Sequence, residues 1–199
     1  MLLDKLEGFR IILASKSPRR KQLLTELGIV FQTPDLPAIE ETWPEGLDKF
    51  QIPVWLSVLK SDAYHGELSE KDILITADTI VWFRENVIHK PADRQDAISI
   101  LNRLQGNTHE VLTGVTLRNS QTRHSFCAHS NVTFGPLEKD ELDYYVDHYK
   151  PYDKAGGYGI QEWIGYVGIK EIHGSFYNVM GLPVEMLYRA LGEFVDTLV

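Results

Sequence analysis

Apolar and polar positions alternate along this chain in two rhythms. Short β-type runs are followed by stretches in which Leu, Ile and Val return every three or four residues. The run at 10–15 leads into 18–27, where Leu23, Leu24 and Leu27 share one helical face and Gly28 stands ready to end it. An irregular stretch punctuated by Pro34, Pro37, Pro44 and Pro53 comes next, and then a helix over about 54–65 with Trp55, Leu56 and Leu59 on one face. The pattern predicts a strand at 73–77 and a hairpin in VWFRENVIH turning at Glu-Asn. A helix over 93–105 ends at Gly106, and the runs HEVLTGVTLRN and TRHSFCAHSNVTF read as antiparallel strands. A helix over 138–149, the glycine-rich DKAGGYGIQ, mixed β segments and a last helix from Pro183 to about Leu198 complete the chain. Long strands interleaved with helices predict an α/β or α+β fold built on a mixed sheet.

Composition narrows the classes. The chain has 199 residues, enough for one sizeable core, and is 43% hydrophobic and 24% charged, as a globular protein is. No apolar run approaches the roughly 18 residues that span a bilayer, and MLLDKLEGFR does not look like a secretory signal, so a cytoplasmic protein without a membrane partner is expected. Cys127 is the sole cysteine, which excludes an internal disulfide and a cysteine zinc cluster; it reads as a buried small residue in a strand. A net charge of −8 argues against an extended nucleic-acid surface, which needs clustered Lys and Arg. Against that background the basic knot Arg19-Arg20-Lys21 stands out.

In 15-SKSPRR-20, Ser17 suits an N-cap and Pro18 the first helical position. Three cations in a first turn oppose the positive end of the helix dipole unless an anion sits among them. A strand entering a helix in this way presents backbone N–H groups to a phosphate, and the arginines add forked donors. A capped surface helix with solvated cations accounts for the same residues. In 77-ADTIV-81, Asp78 at the end of an apolar run would stand where open α/β sheets bind ligands, able to hold a cation or orient water, or merely to cap a turn with Thr79. Lys90 before Pro91 and Lys60 on its helix are candidate cations or solvated surface groups, and Glu40-Glu41 is ordinary loop charge. Gly156, Gly157 and Gly159 permit tight backbone approaches, and Gln161 carries the donor and acceptor a base-reading residue needs. The four tryptophans read as core, and the histidines show no metal spacing.

Taken together, LASKSPRRKQLL, IEE at 39–41, Lys60, ADTIV, Lys90-Pro91, TGV at 113–115, DKAGGYGIQ and GSFYNVMGLP at 174–183 resemble the Maf family of nucleoside triphosphate pyrophosphatases, in the family's order and over nearly the whole chain. The resemblance implies a single Maf-like domain over 1–199 with a Maf/inosine-triphosphatase-like fold: an elongated mixed sheet flanked by helices, with two lobes around a central cleft. It implies hydrolysis of a nucleoside triphosphate to monophosphate and pyrophosphate. Ser15, Arg19 and Arg20 would cradle phosphates, and Glu41, Lys60, Asp78, Lys90 and Gln161 fall on the family's other site positions. Asp78 would be the general base, and Glu41 would join it in holding Mg²⁺ or Mn²⁺, while Lys60 and Lys90 neutralise leaving-group charge.

Arg19 after Pro18, Thr79 after Asp78, and Gln161 closing Tyr-Gly-Ile-Gln match the branch acting on dTTP and UTP, with modified uridine triphosphates as further substrates. The branch associated with 7-methyl-GTP carries a bulky aromatic, Gln and Glu at those places. Two alternatives stand beside this reading: a pyrophosphatase for a nucleotide such as ITP, and a nucleotide-binding regulator of septum formation, a role also associated with the family. Homodimers are common among the proteins resembled. Departures from the family pattern are Ser57 and Ser61 where alanines are usual, and His89 before Lys-Pro.

Overall fold

The computed structural model describes residues 1–34 and 37–198; residues 35 and 36 of the proline-punctuated stretch lie outside the described residues. The chain packs as two compact units. The first comprises Met1–Asp78, Thr113–Ala128 and Gly181–Val199, and the second Thr79–Leu112 and His129–Met180.

In the first unit, a short helix α1 (Leu2–Lys5) precedes strand β1 (Arg10–Leu13) and helix α2 (Pro18–Glu26). Ser17 caps α2 by accepting from the Arg20 N–H, with Pro18 at the first position, as its sequence predicts. Helix α3 (Gln51–Asp62) begins three residues before the expected start, because Asp48 accepts from the N–H groups of Phe50 and Gln51 and so nucleates the turn earlier.

Strand β2 (Asp72–Phe83) corrects the sequence reading. It is one strand of 12 residues rather than a short strand followed by a hairpin arm. Polar residues seemed to interrupt the apolar run, yet they stay inside the strand because each has a partner: the Thr76 hydroxyl donates to the Ser57 carbonyl at 2.7 Å, and Asp78 receives a lysine. Asp78 therefore lies mid-strand, not at a carboxyl end. The hairpin to β3 (Asn86–Ile88) turns at Arg84-Glu85, one residue before the expected Glu-Asn; both have positive φ, 48° and 63°, as a two-residue turn between twisted strands requires.

The remaining elements are α4 (Arg94–Leu104), β4 (Thr108–Arg118), β5 (Arg123–Phe134), α5 (Lys139–Tyr149), α6 (Trp163–Gly168), β6 (Ile169–His173), α7 (Phe176–Met180) and α8 (Val184–Asp196). The strands form a sheet in the order β1-β2-β4-β5-β6, with β3 also on β2. β1 runs parallel to β2, whereas β2–β3 and β5–β6 are antiparallel, so the sheet is mixed, as expected.

The buried core of the first unit includes Leu13, Leu24, Leu56, Leu74, Leu117, Leu187 and Leu191. That of the second includes Leu101, Leu104, Leu112, Val132, Leu142, Tyr145 and Ile164, where α4 packs on α5. Cys127, expected as a buried small residue in a strand, lies in β5 and is partly buried; burial pushes its thiol up to about 11. Among the described residues no helix is long and apolar enough to cross a membrane.

Candidate active site

The N-terminus of α2 and the middle of β2 are joined by a single side chain. Arg20 donates through Nε to the Gly181 carbonyl at 2.7 Å and through Nη1 to the Ala77 carbonyl at 2.8 Å. Its planar fork thus fastens the helix entry to the residue before Asp78. Burial lowers the Arg20 pKa, opposed by the charges of Asp78 and Glu41. Beside it, Ser15 is buried and its hydroxyl oxygen accepts from the Ser17 N–H at 3.2 Å. That leaves the Ser15 proton as the part it can give to an anion. Arg19 is half-buried in the first turn of α2.

Lys60, on α3, reaches the strand. Its ammonium donates to Asp78 Oδ1 and lies 2.8 Å from Glu41 Oε1, so two carboxylates from separate segments converge on one cation. Asp78 and Lys60 are largely buried, with side chains 9% and 16% exposed, whereas Glu41 is open at 41%. The loop bearing Glu41 is tied to α3 by the Trp55 indole N–H, which donates to the Thr42 carbonyl at 3.2 Å. Trp55 was expected to serve as core and is partly exposed instead, because its polar edge is used for this contact.

The height of α3 is set by Gly114 of the TGV motif. A Cβ there would lie 2.2 Å from the Pro53 carbonyl carbon and oxygen, so the helix backbone rests directly on β4. A buried hydroxyl chain, Ser57 to Thr116 at 2.7 Å and Thr116 to Ser125 at 2.9 Å, fixes the same helix. Ser57, a departure from the family pattern, is thereby accommodated. The Ser61 hydroxyl is buried with no hydrogen-bond partner among the described residues.

Thr79 follows Asp78 in β2 and opens the second unit. There, Lys90 is exposed just beyond β3. Gly156 and Gly157 take positive φ, 73° and 69°, in the glycine-rich segment, which forms a tight turn packed on α4. Gln161 ends that segment, and its Oε1 is buried with no hydrogen-bond partner among the described residues.

Around Gln161 stand three side chains that the sequence did not single out. Lys154, nearly buried, lies 2.7 Å from Asp153 and 3.2 Å from Glu162 Oε1. The Tyr145 hydroxyl donates to Glu162 Oε2 at 2.5 Å and accepts from the Gly159 N–H at 2.9 Å. Their signal in the sequence is faint: a lysine and a glutamate eight apart, flanking a glycine-rich turn.

The donor chemistry of the Glu41–Asp78 pair suits a hard divalent cation, since both offer carboxylate oxygens toward one point that an ammonium already occupies. Among the described residues no group of three or more His, Cys, Asp or Glu is placed to hold a metal. A cation here would need further oxygens from its ligand and from water.

A mixed sheet in which strand β2 pairs a carboxylate with a lysine, beside a helix entry that carries two arginines, is an arrangement suited to phosphate groups. Comparison with known proteins gives the family: the Maf-like protein family matches residues 10–194, and the chain belongs to it. A protein of Parabacteroides distasonis named dTTP/UTP pyrophosphatase is 47% identical over 193 residues, 97% of this chain and 100% of that one. One of the same name from Phocaeicola vulgatus is 50% identical over 190 residues, 96% of this chain and 98% of its own. Among solved structures, a HAM1 protein from Coxiella burnetii shares the fold, with a TM-score of 0.51 and 18% identity over 93% of this chain and 99% of that one.

Proposed function

We propose that this protein hydrolyses dTTP and UTP to the nucleoside monophosphate and pyrophosphate. The observation that carries this reading is the convergence of Glu41 and Asp78 on Lys60, next to the turn that Arg20 fastens, in a chain so similar to proteins named for that activity.

Cleavage between the α and β phosphates needs an oriented water, a base for its proton, and neutralisation of the departing pyrophosphate. Asp78 takes the proton of the attacking water. Lys60, already bonded to Asp78, fixes the carboxylate and contributes charge toward the phosphates. Ser15 and Arg19 donate to phosphate oxygens, and Lys90 adds a further cation. Arg20 was expected to act as a phosphate ligand; two of its donors serve backbone carbonyls, so its main part in this proposal is to hold the turn and the strand together while keeping positive charge nearby. Glu41 and Asp78 would hold Mg²⁺ or Mn²⁺ together with substrate oxygens. Such an ion supplies charge neutralisation on the triphosphate when bound. Arg19, Thr79 and Gln161 are the groups proposed to choose the base, and a cytoplasmic setting fits a substrate drawn from the nucleotide pool.

Steady-state pyrophosphate release from dTTP, UTP, CTP, GTP, 7-methyl-GTP and ITP, with Mg²⁺ or Mn²⁺, tests the proposal. It expects dTTP and UTP to exceed the others in kcat/KM. Preference for ITP or 7-methyl-GTP would overturn the assignment of the base.

A further inference from the structure

The ion and hydroxyl network around Gln161 is more than a loop needs. Lys154 and Tyr145 are almost fully buried, and Glu162 is brought between them. Withdrawing an ammonium and a carboxylate from water is costly, and apolar residues would close an ordinary turn without that cost. What the network holds is specific. The Glu162 N–H donates to the Gly159 carbonyl at 2.9 Å, and the Gly165 N–H donates to the Glu162 carbonyl at 2.8 Å. The Gly159 N–H is bonded to Tyr145, whose hydroxyl also bonds the Glu162 side chain. The backbone on both sides of Gln161 is therefore held by two backbone bonds and by the Tyr145 phenol, which links the Gly159 N–H to the Glu162 carboxylate. Gly159 is required for this, since a Cβ there would lie 2.7 Å from the Glu162 carboxyl carbon.

Gln161 itself is left with a buried acceptor, Oε1, that no described residue satisfies. Such an oxygen calls for a donor from a ligand. Uracil and thymine present N3–H, a donor, while the cytosine N3 is an acceptor. A primary amide can meet either base by exchanging its two ends through rotation, so it discriminates only if its orientation is fixed.

We propose that the Lys154–Glu162–Tyr145 network is a specificity device: it holds the Gly159–Glu162 turn so that Gln161 presents its oxygen, and not its NH₂, to the base. Tyr145, Glu162 and Lys154 are then positioning residues for nucleotide choice. The inference rests on the reading of Gln161 as a base contact in a dTTP/UTP pyrophosphatase.

The test is the ratio of kcat/KM for UTP over CTP in the wild-type protein, its Tyr145→Phe variant and its Glu162→Gln variant, with Tm recorded for each. Tyr145→Phe removes the shared hydroxyl, and Glu162→Gln keeps an acceptor for Tyr145 but loses the charge facing Lys154. The expected result is a fall in the ratio of about tenfold in Tyr145→Phe and a smaller one in Glu162→Gln. It should arise from a higher KM for UTP and faster turnover of CTP. An unchanged ratio in a folded variant overturns the inference, as does an equal loss on both nucleotides, which a merely structural role would give. If Tyr145→Phe does not fold, the Glu162→Gln ratio decides alone. A wild-type protein with no preference for UTP over CTP would instead overturn the underlying base reading, an outcome visible before any variant is made.

Discussion

Lys60 is the residue on which the proposed site turns, because two carboxylates meet at its ammonium. Lys60→Met would remove the ammonium on which Asp78 and Glu41 converge. The expected loss in kcat is on the order of 10²–10⁴-fold, with a smaller change in KM, measured by pyrophosphate release from UTP. Arg20→Lys tests a different property. An ammonium is a point donor and does not span the Gly181 and Ala77 carbonyls as a guanidinium does, so retained charge should not rescue the variant. Turnover by Arg20→Lys is expected to fall at least tenfold, as misplacement of positioned groups does; activity near wild type would show that charge alone matters. At this scale the residue types were legible: cations in a first turn and a carboxylate in an apolar run are chemical anomalies. Their partners were not, since carbonyls such as those of Ala77 and Gly181 belong to every residue and leave no mark in the sequence.

Among the elements, α2, α4, β4, β5, α5 and α8 follow from periodicity and caps, as with Ser17 before α2 and Gly106 after α4. Helices α6 and α7 do not, because WIGYVG is rich in aromatic, β-branched and glycine residues that favour a strand in isolation. The support of α3 by β4 is equally invisible in sequence, and it makes a sharp prediction. Gly114→Ala would drive a methyl group into the Pro53 backbone, so denaturant unfolding should show a loss of about 1–3 kcal/mol together with lowered kcat as Lys60 shifts. β4 also carries His109, buried against Phe134 and hydrogen-bonded to the Tyr158 hydroxyl at 2.7 Å. Burial holds its pKa down to about 4. The unfolded chain, with an ordinary histidine near 6.5, takes up that proton first as pH falls. Stability from this group is therefore complete above about pH 6.5 and declines toward pH 4, by at most about 1.4 kcal/mol per pH unit. Tm measured between pH 7 and 4.5 should fall less steeply in His109→Phe than in wild type, and equal slopes would contradict the assignment.

At the scale of the whole molecule, strand β2 carries Asp78 as the last residue of one compact unit and Thr79 as the first of the other. The proposed base for the chemistry and a proposed selector of the nucleotide are thus neighbours in sequence. The central claim is that cleavage falls between the α and β phosphates and depends on Asp78. Phosphorus NMR of UTP turnover by wild type and Asp78→Asn tests it most directly. The account predicts UMP and pyrophosphate as the products of wild type, and turnover in Asp78→Asn reduced at least a hundredfold while UTP still binds. UDP with inorganic phosphate, or undiminished turnover by Asp78→Asn, would contradict it.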